Sequence, residues 1–385
     1  FDGNQFKTFK HDPDDPKSLS DSFVFSLLED QIGTIWIGTN NGGLNSYDPR
    51  TENFTSYRPD PDTPGSLLGE TVTTIYEDTD GVLWVGTTSG LNRFDRNSGE
   101  FTHYINDPEK PDSIASNVVN DILQDQKGRY WIATTNGLDL FNAKYGHFTH
   151  HQNDPFDPAS LTHNQVNDLF VDKQGVLWVA TLGGLNRYLP ETRNFTRYQN
   201  DPEDPDSLSF NDVFDLYEDQ QGLFWVATNG GGLDRFDRIN ERFIRFQNDP
   251  GDPNSISSDQ VWSIAEDAAG VLWFGTFGSG VEKFDPLQRK FLLFQHEPNN
   301  SNSLSDNSVW AMLEDHAGVL WIGTVGSGLN RFDRKTGEFE HFSNDPDDPQ
   351  SLGSDWILAL MEDETGTIWV GTNIGLEKFD PESQT

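Results

Sequence analysis

The sequence predicts an all-β fold, a single eight-bladed β-propeller of four-stranded antiparallel blades that occupies residues 1–385 as one domain. A five-residue word of the form [ILYF]-W-[IVF]-[GA]-T occurs eight times, at spacings of 47 or 48 residues. Its tryptophans are Trp36, Trp84, Trp131, Trp178, Trp225, Trp273, Trp321 and Trp369. Such a short repeat buries its apolar face only against its neighbours, and no helical periodicity is sustained, so a helical repeat fold is disfavoured.

One repeat reads as four strands. In the second copy, residues 72–75 and 82–87 form a hairpin whose D-x-x-G turn ends at Gly81. Residues 91–95 and 101–104 are the third and fourth strands. The turn glycine recurs in all eight copies, where a tight hairpin requires positive φ, and the aspartate of the turn is expected to cap it. Four strands in 47 or 48 residues match the size of a propeller blade.

The two ends of the chain complement each other. Residues 6–9 match the fourth strand of a blade, whereas the eighth copy stops after its third strand, at residues 375–380. Pairing of these strands would close the ring and leave no open strand edge. Because the chain begins at Phe1 and contains only two methionines, we expect a piece excised from a longer protein.

The repeated tryptophans are expected to be structural anchors between blades. Each indole would remove on the order of 150–250 Å² from water, roughly 4–6 kcal/mol before opposing terms.

Composition excludes several classes of function. The chain has 63 acidic and 26 basic residues, a net charge of −37, so no basic stripe is available for nucleic acid or a membrane surface. The absence of cysteine excludes disulfides, thiolate metal sites and cysteine nucleophiles.

The loops of the form D-P-x-x-P-x-S-L are expected to form an acidic rim on the same face as the G-T-x-x-G loops. They carry 20 of the 63 acidic residues. One interpretation is a mouth that attracts cations or binds calcium. The other is that aspartate initiates each turn and serine caps it. Because no D-x-D-x-D-G spacing occurs, no cofactor is predicted, and calcium is the one candidate.

Positions at which the copies differ are the best candidates for ligand binding. After the first apolar anchor of the first strand, copies 1 to 8 carry Phe25, Thr73, Asn120, Asn167, Phe214, Trp262, Trp310 and Leu358. Aromatic residues therefore gather on copies 5 to 8 and 1, with Trp356 just before the anchor of copy 8. The same strands begin with Asn211, Asp259, Asn307 and Asp355, and Phe277 lies in the second loop of copy 6.

Flat aromatic rings beside amides and carboxylates suit the apolar face and polar rim of a sugar. These ten residues are therefore the predicted ligand-binding residues. Alternatively, the aromatic residues fill the wide centre of an eight-bladed ring and the Asn and Asp residues cap strand starts.

The sequence does not predict an enzyme. The nine histidines are scattered, and His147, His150 and His151 fall on one outer strand, away from the channel. A lyase-like propeller enzyme would need histidine and acidic residues clustered at one mouth, and no such cluster can be assembled.

Three segments of the seventh copy follow in order: residues 320–333 (LWIGTVGSGLNRFD), 335–339 (KTGEF) and 345–352 (DPDDPQSL). They resemble the two-component regulator propeller repeat, and the resemblance covers the full chain. It implies a periplasmic or extracytoplasmic sensor portion of a bacterial hybrid histidine kinase, with relatives that respond to glycans or their breakdown products. The departures are Ala133, Ala180 and Ala227 in place of glycine and the seventh loop, residues 297–301 (EPNNS).

The leading hypothesis is a non-enzymatic sensory module that binds a small, carbohydrate-derived ligand at the channel mouth. Its other partner would be the histidine-kinase output portion of the parent chain, with no nucleic acid and no direct membrane contact. The main alternative is a protein-interaction scaffold that uses the acidic rim.

Overall fold

The computed structural model describes residues 7–48, 53–252, 254–267, 270–285, 290–334, 336–348 and 351–379. Within these ranges there are thirty-two strands, arranged in eight four-stranded sheets, and no helix. The fold is the predicted eight-bladed β-propeller. The chain divides into two compact units, Phe1–Ile75 with Ala265–Thr385 and Tyr76–Ile264.

The strands are short and evenly spaced. The first sixteen are β1 (Lys7–Phe9), β2 (Val24–Glu29), β3 (Ile35–Thr39), β4 (Leu44–Asp48), β5 (Asn53–Tyr57), β6 (Val72–Glu77), β7 (Leu83–Thr87), β8 (Leu91–Asp95), β9 (Glu100–Tyr104), β10 (Val119–Gln124), β11 (Tyr130–Thr134), β12 (Gly137–Asn142), β13 (His147–His151), β14 (Val166–Val171), β15 (Leu177–Thr181) and β16 (Gly184–Leu189). The remaining sixteen are β17 (Asn194–Tyr198), β18 (Val213–Glu218), β19 (Phe224–Thr228), β20 (Leu233–Asp237), β21 (Arg242–Phe246), β22 (Val261–Glu266), β23 (Leu272–Thr276), β24 (Gly280–Asp285), β25 (Lys290–Phe294), β26 (Val309–Glu314), β27 (Leu320–Thr324), β28 (Leu329–Asp333), β29 (Glu338–Phe342), β30 (Ile357–Glu362), β31 (Ile368–Thr372) and β32 (Leu376–Phe379).

Blades 1 to 7 each use four consecutive strands, from β2–β5 for blade 1 to β26–β29 for blade 7. Blade 8 has the order β1-β32-β31-β30, with Phe9 opposite Leu376. This pairing confirms that the N-terminal strand completes the last blade. The predicted strands extended one residue further, to Phe6 and Asp380, which lie outside the described residues.

An aspartate locks the first hairpin of every blade. In blade 5, Asp219 Oδ1 accepts hydrogen bonds from the backbone N–H groups of Gln221 and Leu223, at 3.0 and 2.8 Å. Its Oδ2 accepts a bond from the indole Nε1 of Trp225 at 2.9 Å. The aspartate–tryptophan bond measures 2.7–3.0 Å in all eight blades, and the turn glycines have φ between +74° and +83°. The capping role is confirmed, whereas the bond to the indole was not predicted.

Six of the eight tryptophans also pack against an aromatic ring of the next blade within the same unit. In the second unit the ring centroids lie 5.4, 4.7 and 5.3 Å apart in the pairs Trp84–Phe141, Trp131–Tyr188 and Trp178–Phe236. In the first unit they lie 5.6, 5.3 and 4.9 Å apart in the pairs Trp273–Phe332, Trp321–Phe379 and Trp369–Tyr47. All eight indoles are at most 3% exposed. The predicted structural role of the repeated tryptophan is therefore confirmed.

The alanines that replace glycine in the repeated tryptophan word are accompanied by a second substitution on the neighbouring strand. In blades 1, 7 and 8 the glycines at this site lie opposite small residues, in the pairs Gly38–Ser26, Gly323–Ala311 and Gly371–Ala359. In blades 3, 4 and 5 an alanine lies opposite an aspartate, in the pairs Ala133–Asp121, Ala180–Asp168 and Ala227–Asp215. Three consecutive blades thus share a substitution on two neighbouring strands.

Among the described residues, none belongs to a helix of the length and apolarity that crossing a bilayer requires.

Candidate functional site

The first strand of a blade carries its variable residue on a β-bulge. In blade 5 the pairing with β19 shifts between Val213 and Asp215, which leaves Phe214 outside the ladder. Blades 3 and 4 show the same shift, around Asn120 and Asn167. A bulge re-aims the extra side chain relative to the regular alternation of the strand. The variable position identified from the sequence is therefore a bulge residue, which the sequence pattern did not reveal.

The bulge residues of blades 3, 4 and 5 line one cavity in the second unit. Its volume is about 360 Å³, within the approximate 300–1,000 Å³ range typical of small-molecule sites. It is lined by Asn120, Gln165, Asn167, Leu182, Asp212 and Phe214. We refer to it as the bulge pocket.

One wall of the bulge pocket is aromatic. The ring of Phe214 stacks on that of Trp262, with centroids 5.9 Å apart and planes inclined by 12°. Phe214 is nevertheless 39% exposed. An aromatic face held by a second ring and still open to solvent is suited to the apolar face of a ligand. The structure thus places one of the ten predicted residues, Phe214, in the cavity lining and stacks a second, Trp262, on it.

The polar wall is held in place by hydrogen bonds. Asn120 Nδ2 donates to the carbonyl of Val166 at 2.7 Å, and Asn167 Nδ2 donates to the carbonyl of Val213 at 2.9 Å. Each bond joins a bulge residue to the first strand of the next blade. Fixed amide groups beside an aromatic face are typical of sites that orient a polar ligand. These two asparagines were not among the predicted ligand-binding residues.

A row of three aspartates directly follows the bulge residues, namely Asp121, Asp168 and Asp215. Asp215 Oδ2 accepts a hydrogen bond from the backbone N–H of Ile264 at 2.8 Å. Burial raises the pKa of Asp121 and of Asp215 to about 6. The pKa of Asp168 is raised well above its usual range by burial and then by the charges of Asp121 and Asp215. Burial and mutual repulsion therefore favour the protonated form of these carboxyls.

The four residues predicted at strand starts bind the preceding loop. Their Oδ1 atoms accept hydrogen bonds from loop backbone N–H groups at 2.6–2.7 Å. The pairs are Asn211 with Asn200, Asp259 with Asn248, Asn307 with His296 and Asp355 with Asn344. These contacts are the capping role that the sequence offered as the alternative. A contact of these four side chains with a ligand stays a prediction.

The remaining predicted aromatic residues lie in the first unit. The ring of Phe25 contacts that of Phe23, with centroids 4.9 Å apart. Trp310 is the bulge residue of β26, Trp356 forms a backbone bridge with Val325, and Phe277 follows β23. Phe25, Trp310, Trp356 and Phe277 are 40–47% exposed. Their accessible rings suit a binding role, which stays a prediction.

The acidic loops and the histidines have structural contacts. In the loop before blade 5, the backbone N–H of Asp201 donates to Ser207 Oγ at 2.8 Å, and this hydroxyl donates to the carbonyl of Asp201 at 3.1 Å. His150, on β13, lies 2.5 Å from Asp139 through its Nδ1 atom. Within the described ranges, no group of three or more histidine, aspartate or glutamate side chains is placed to hold a metal ion.

Known proteins share both the repeat and the fold. The family model for the two component regulator propeller matches residues 18–41, 66–89, 113–136, 160–183, 207–230, 255–278, 303–326 and 351–373. No curated protein matches the sequence.

Solved structures of similar fold include the extracellular domain of the putative hybrid two component system BT3049 from B. thetaiotaomicron. That protein is 22% identical with a TM-score of 0.60, and the match covers 98% of this chain and 54% of that one. The extracellular domain of the putative one component system BT4673 from the same organism is 23% identical, with a TM-score of 0.51 and coverage of 95% and 53%. The chain thus spans about half the length of these two domains.

A streptogramin B lyase is also similar, at 13% identity and a TM-score of 0.51, with coverage of 98% and 97%. At these identities the likeness to solved structures shows the propeller fold alone, which sensor domains and a lyase share. The family is established by the sequence itself, because one family-model match falls on each of the eight blades. The chain belongs to the two component regulator propeller family.

Proposed function

We propose that this chain is a non-enzymatic sensory propeller that binds a carbohydrate-derived ligand in the bulge pocket. The observation that carries the proposal is the open face of Phe214 beside the fixed amides of Asn120 and Asn167 in one cavity. A pyranose ring has an apolar C–H face and a rim of hydroxyls, and this pocket offers a complement to each.

The cellular context is part of the same proposal. The chain acts as one domain, outside the cytoplasm, and transmits ligand binding to a histidine-kinase portion of its parent protein. Family membership and the likeness in fold to extracellular domains of two component systems support this assignment. Ligand binding would be transmitted through blades 3 to 5, because Asn120 and Asn167 each hydrogen-bond to the first strand of the next blade.

Thermal unfolding with a panel of neutral, amino and acidic disaccharides tests the proposal. We expect at least one disaccharide to raise the melting temperature, since a ligand that binds only the folded state stabilises it. Phe214→Ala should abolish that rise. Phe156→Ala is the matched control, because it removes an exposed phenylalanine of the same unit that does not line the pocket. An equal rise in the Phe214 variant, or no rise with any compound, would count against the pocket.

The alternative function is a protein-interaction scaffold. It is favoured by Phe156, which is 94% exposed in the loop before blade 4 and lies between Asp154 and Asp157. An exposed ring flanked by carboxylates suits a basic partner with an apolar anchor. Salt-sensitive association that Phe156→Ser weakens, without any shift from disaccharides, would establish this alternative.

A further inference from the structure

We propose that the ligand of the bulge pocket carries a positive charge, and that it is a saccharide with a free amino group. This inference rests on the proposed function and specifies the substrate class of the same site.

The described lining of the pocket contains an acidic residue and no basic residue. Asp212 is the one charged residue among the six described lining residues. In the described part of the chain, the side chains that donate to its carboxylate are the neutral amides of Asn229, at 3.0 Å, and Asn167, at 3.4 Å. The second distance is long for a hydrogen bond. The carboxylate therefore retains capacity to accept further donors at the pocket surface.

The aspartate row adjoins the pocket lining in the chain. Asp121, Asp168 and Asp215 each follow a pocket-lining bulge residue along the chain. Backbone N–H groups hold them, as in the bond from Ile264 to Asp215 at 2.8 Å. Burial and mutual repulsion hold part of this row protonated, and a cation that enters the pocket would favour the loss of those protons.

The row occurs only in the blades that form the pocket. The equivalent residues of the other five copies are Ser26, Thr74, Ser263, Ala311 and Ala359. Those blades form the same four-stranded sheets without an acid at this position. The fold therefore does not require the aspartates, and their confinement to blades 3, 4 and 5 coincides with the cavity and its aromatic wall. This coincidence points to a role in ligand selection.

An amino sugar combines the two features that the pocket complements. Its ammonium group would lie near Asp212 and the aspartate row, and its C–H face would lie on Phe214. Uronic acids and sulfated sugars would bring a negative charge into the same field and should be rejected.

Three disaccharides with the same ring and linkage isolate the charge: cellobiose, N,N′-diacetylchitobiose and its deacetylated diamine. We would measure their binding by calorimetry at a pH of about 6.5, where a sugar amine is largely protonated. The diamine should bind at least about tenfold more tightly than the two neutral sugars, and its advantage should shrink at high salt. Putrescine, an amine without a sugar ring, should bind much more weakly than the diamine.

Each other result would overturn the inference. If a neutral disaccharide binds as tightly as the diamine, and Phe214→Ala abolishes that binding, the charge assignment is wrong and the proposed function stands. If putrescine matches the diamine, the saccharide class is wrong. If none of the sugars binds, the inference fails together with this part of the proposed function.

Variants separate charge selection from structure. Asp212→Asn keeps the side-chain shape and removes the carboxylate of the described pocket lining, so the diamine should lose about tenfold in affinity while cellobiose is unaffected. Asp215→Asn, which removes one carboxyl of the aspartate row, should act in the same direction. Glu191→Gln is the matched control, because it removes an exposed charge of the same unit outside the pocket lining. Equal losses for charged and neutral sugars in Asp212→Asn would indicate a structural role and refute the inference.

Discussion

Replacement of Asp234 by asparagine is expected to stabilise the protein, and to do so increasingly as the pH rises. Asp234 is fully buried on β20, and its Oδ2 accepts hydrogen bonds from Ser209 N and Oγ at 3.0 and 2.6 Å. Its Oδ1 is also buried and has no hydrogen-bond partner among the described residues. Burial raises the pKa of this carboxyl to about 7. An ionised carboxylate is therefore poorly accommodated at this site.

The equivalent residue of blade 4 shows what the site accepts. Asn186 Oδ1 accepts a bond from Thr162 N at 2.9 Å, and its Nδ2 donates to the carbonyl of Val179 at 3.2 Å. Asn330 makes the same type of bond to the carbonyl of Ile322 at 3.2 Å. Only the protonated form of an aspartate can supply such a donor. Asparagine at position 234 would supply it at every pH.

The magnitude follows from the two pKa values. In the unfolded chain the aspartate has a pKa of about 3.9, whereas the pKa is about 7 in the folded protein. The folded state therefore binds the proton more tightly. The contribution of Asp234 to the free energy of unfolding is greatest below pH 4 and falls as the pH rises towards 7. The loss for one group across this interval is about 4 kcal/mol. Asp234→Asn removes that loss and leaves the other titrating groups in place.

The assay is the difference in melting temperature between the parent and Asp234→Asn, measured from about pH 4 to pH 8. We expect a difference near zero at the acidic end and a clear stabilisation by the asparagine at the alkaline end. Asn186→Asp is the matched control and should show the opposite sign with the same pH dependence. A difference that does not change with pH would refute the reasoning, because it would mean that Asp234 does not titrate in this range.

Three further changes test the packing. Gly323→Ala should destabilise by about 1–3 kcal/mol in denaturant titration, because its Cβ would lie 2.5 Å from Ile357 Cγ2 of the next blade; an unchanged midpoint would contradict this packing. His151→Phe should stabilise the protein at low pH, since burial lowers the pKa of His151 to about 4. The folded state then loses up to about 3 kcal/mol of stability between pH 6.5 and pH 4. An equal stabilisation at pH 7.5 would show that protonation of His151 is not the cause. Phe9→Ala should cost about 3 kcal/mol, because its ring lies 5.2 Å from that of Tyr47 and joins β1 to blade 1. A variant with the parental melting temperature would show that the closing strand adds little.

Much of the fold was predictable because each blade repeats the same local signals. The D-x-x-G turn requires positive φ at one residue, and Gly81 has φ of +79°. The strand predicted at residues 91–95 is β8 (Leu91–Asp95). The N-terminal strand was predictable from the missing fourth strand of the last copy. These inferences need only short-range pattern and the rule that sheet edges are paired.

The candidate site was less predictable because it depends on the register between strands. The sequence identified the variable position that holds Phe214 and Trp262, and the structure stacks these two rings. It did not identify Asn120 and Asn167 as pocket residues, since a bulge decides where they point and no short motif encodes it.

One signal in the sequence does mark the pocket. Alanine replaces glycine in the tryptophan word only in copies 3, 4 and 5, and an aspartate accompanies it in the first strand of the same copies, as in Ala180 with Asp168. Read as a paired change, this pattern would have singled out the three blades. The strand-start residues such as Asp259 said less about the ligand site. Their capping bonds, such as the one from Asn248 to Asp259, stabilise the preceding loop, which is a requirement of the blade itself.

The most direct test of the central claim is hydrogen–deuterium exchange of the full chain with and without the disaccharide that stabilises it most. The account predicts slower exchange in β10, β14 and β18, the first strands of blades 3, 4 and 5, whose bulge residues line the pocket. It also predicts that this protection is absent in Phe214→Ala. Protection confined to the acidic loops, or to the blades of the first unit, would contradict the assignment of ligand binding to the bulge pocket.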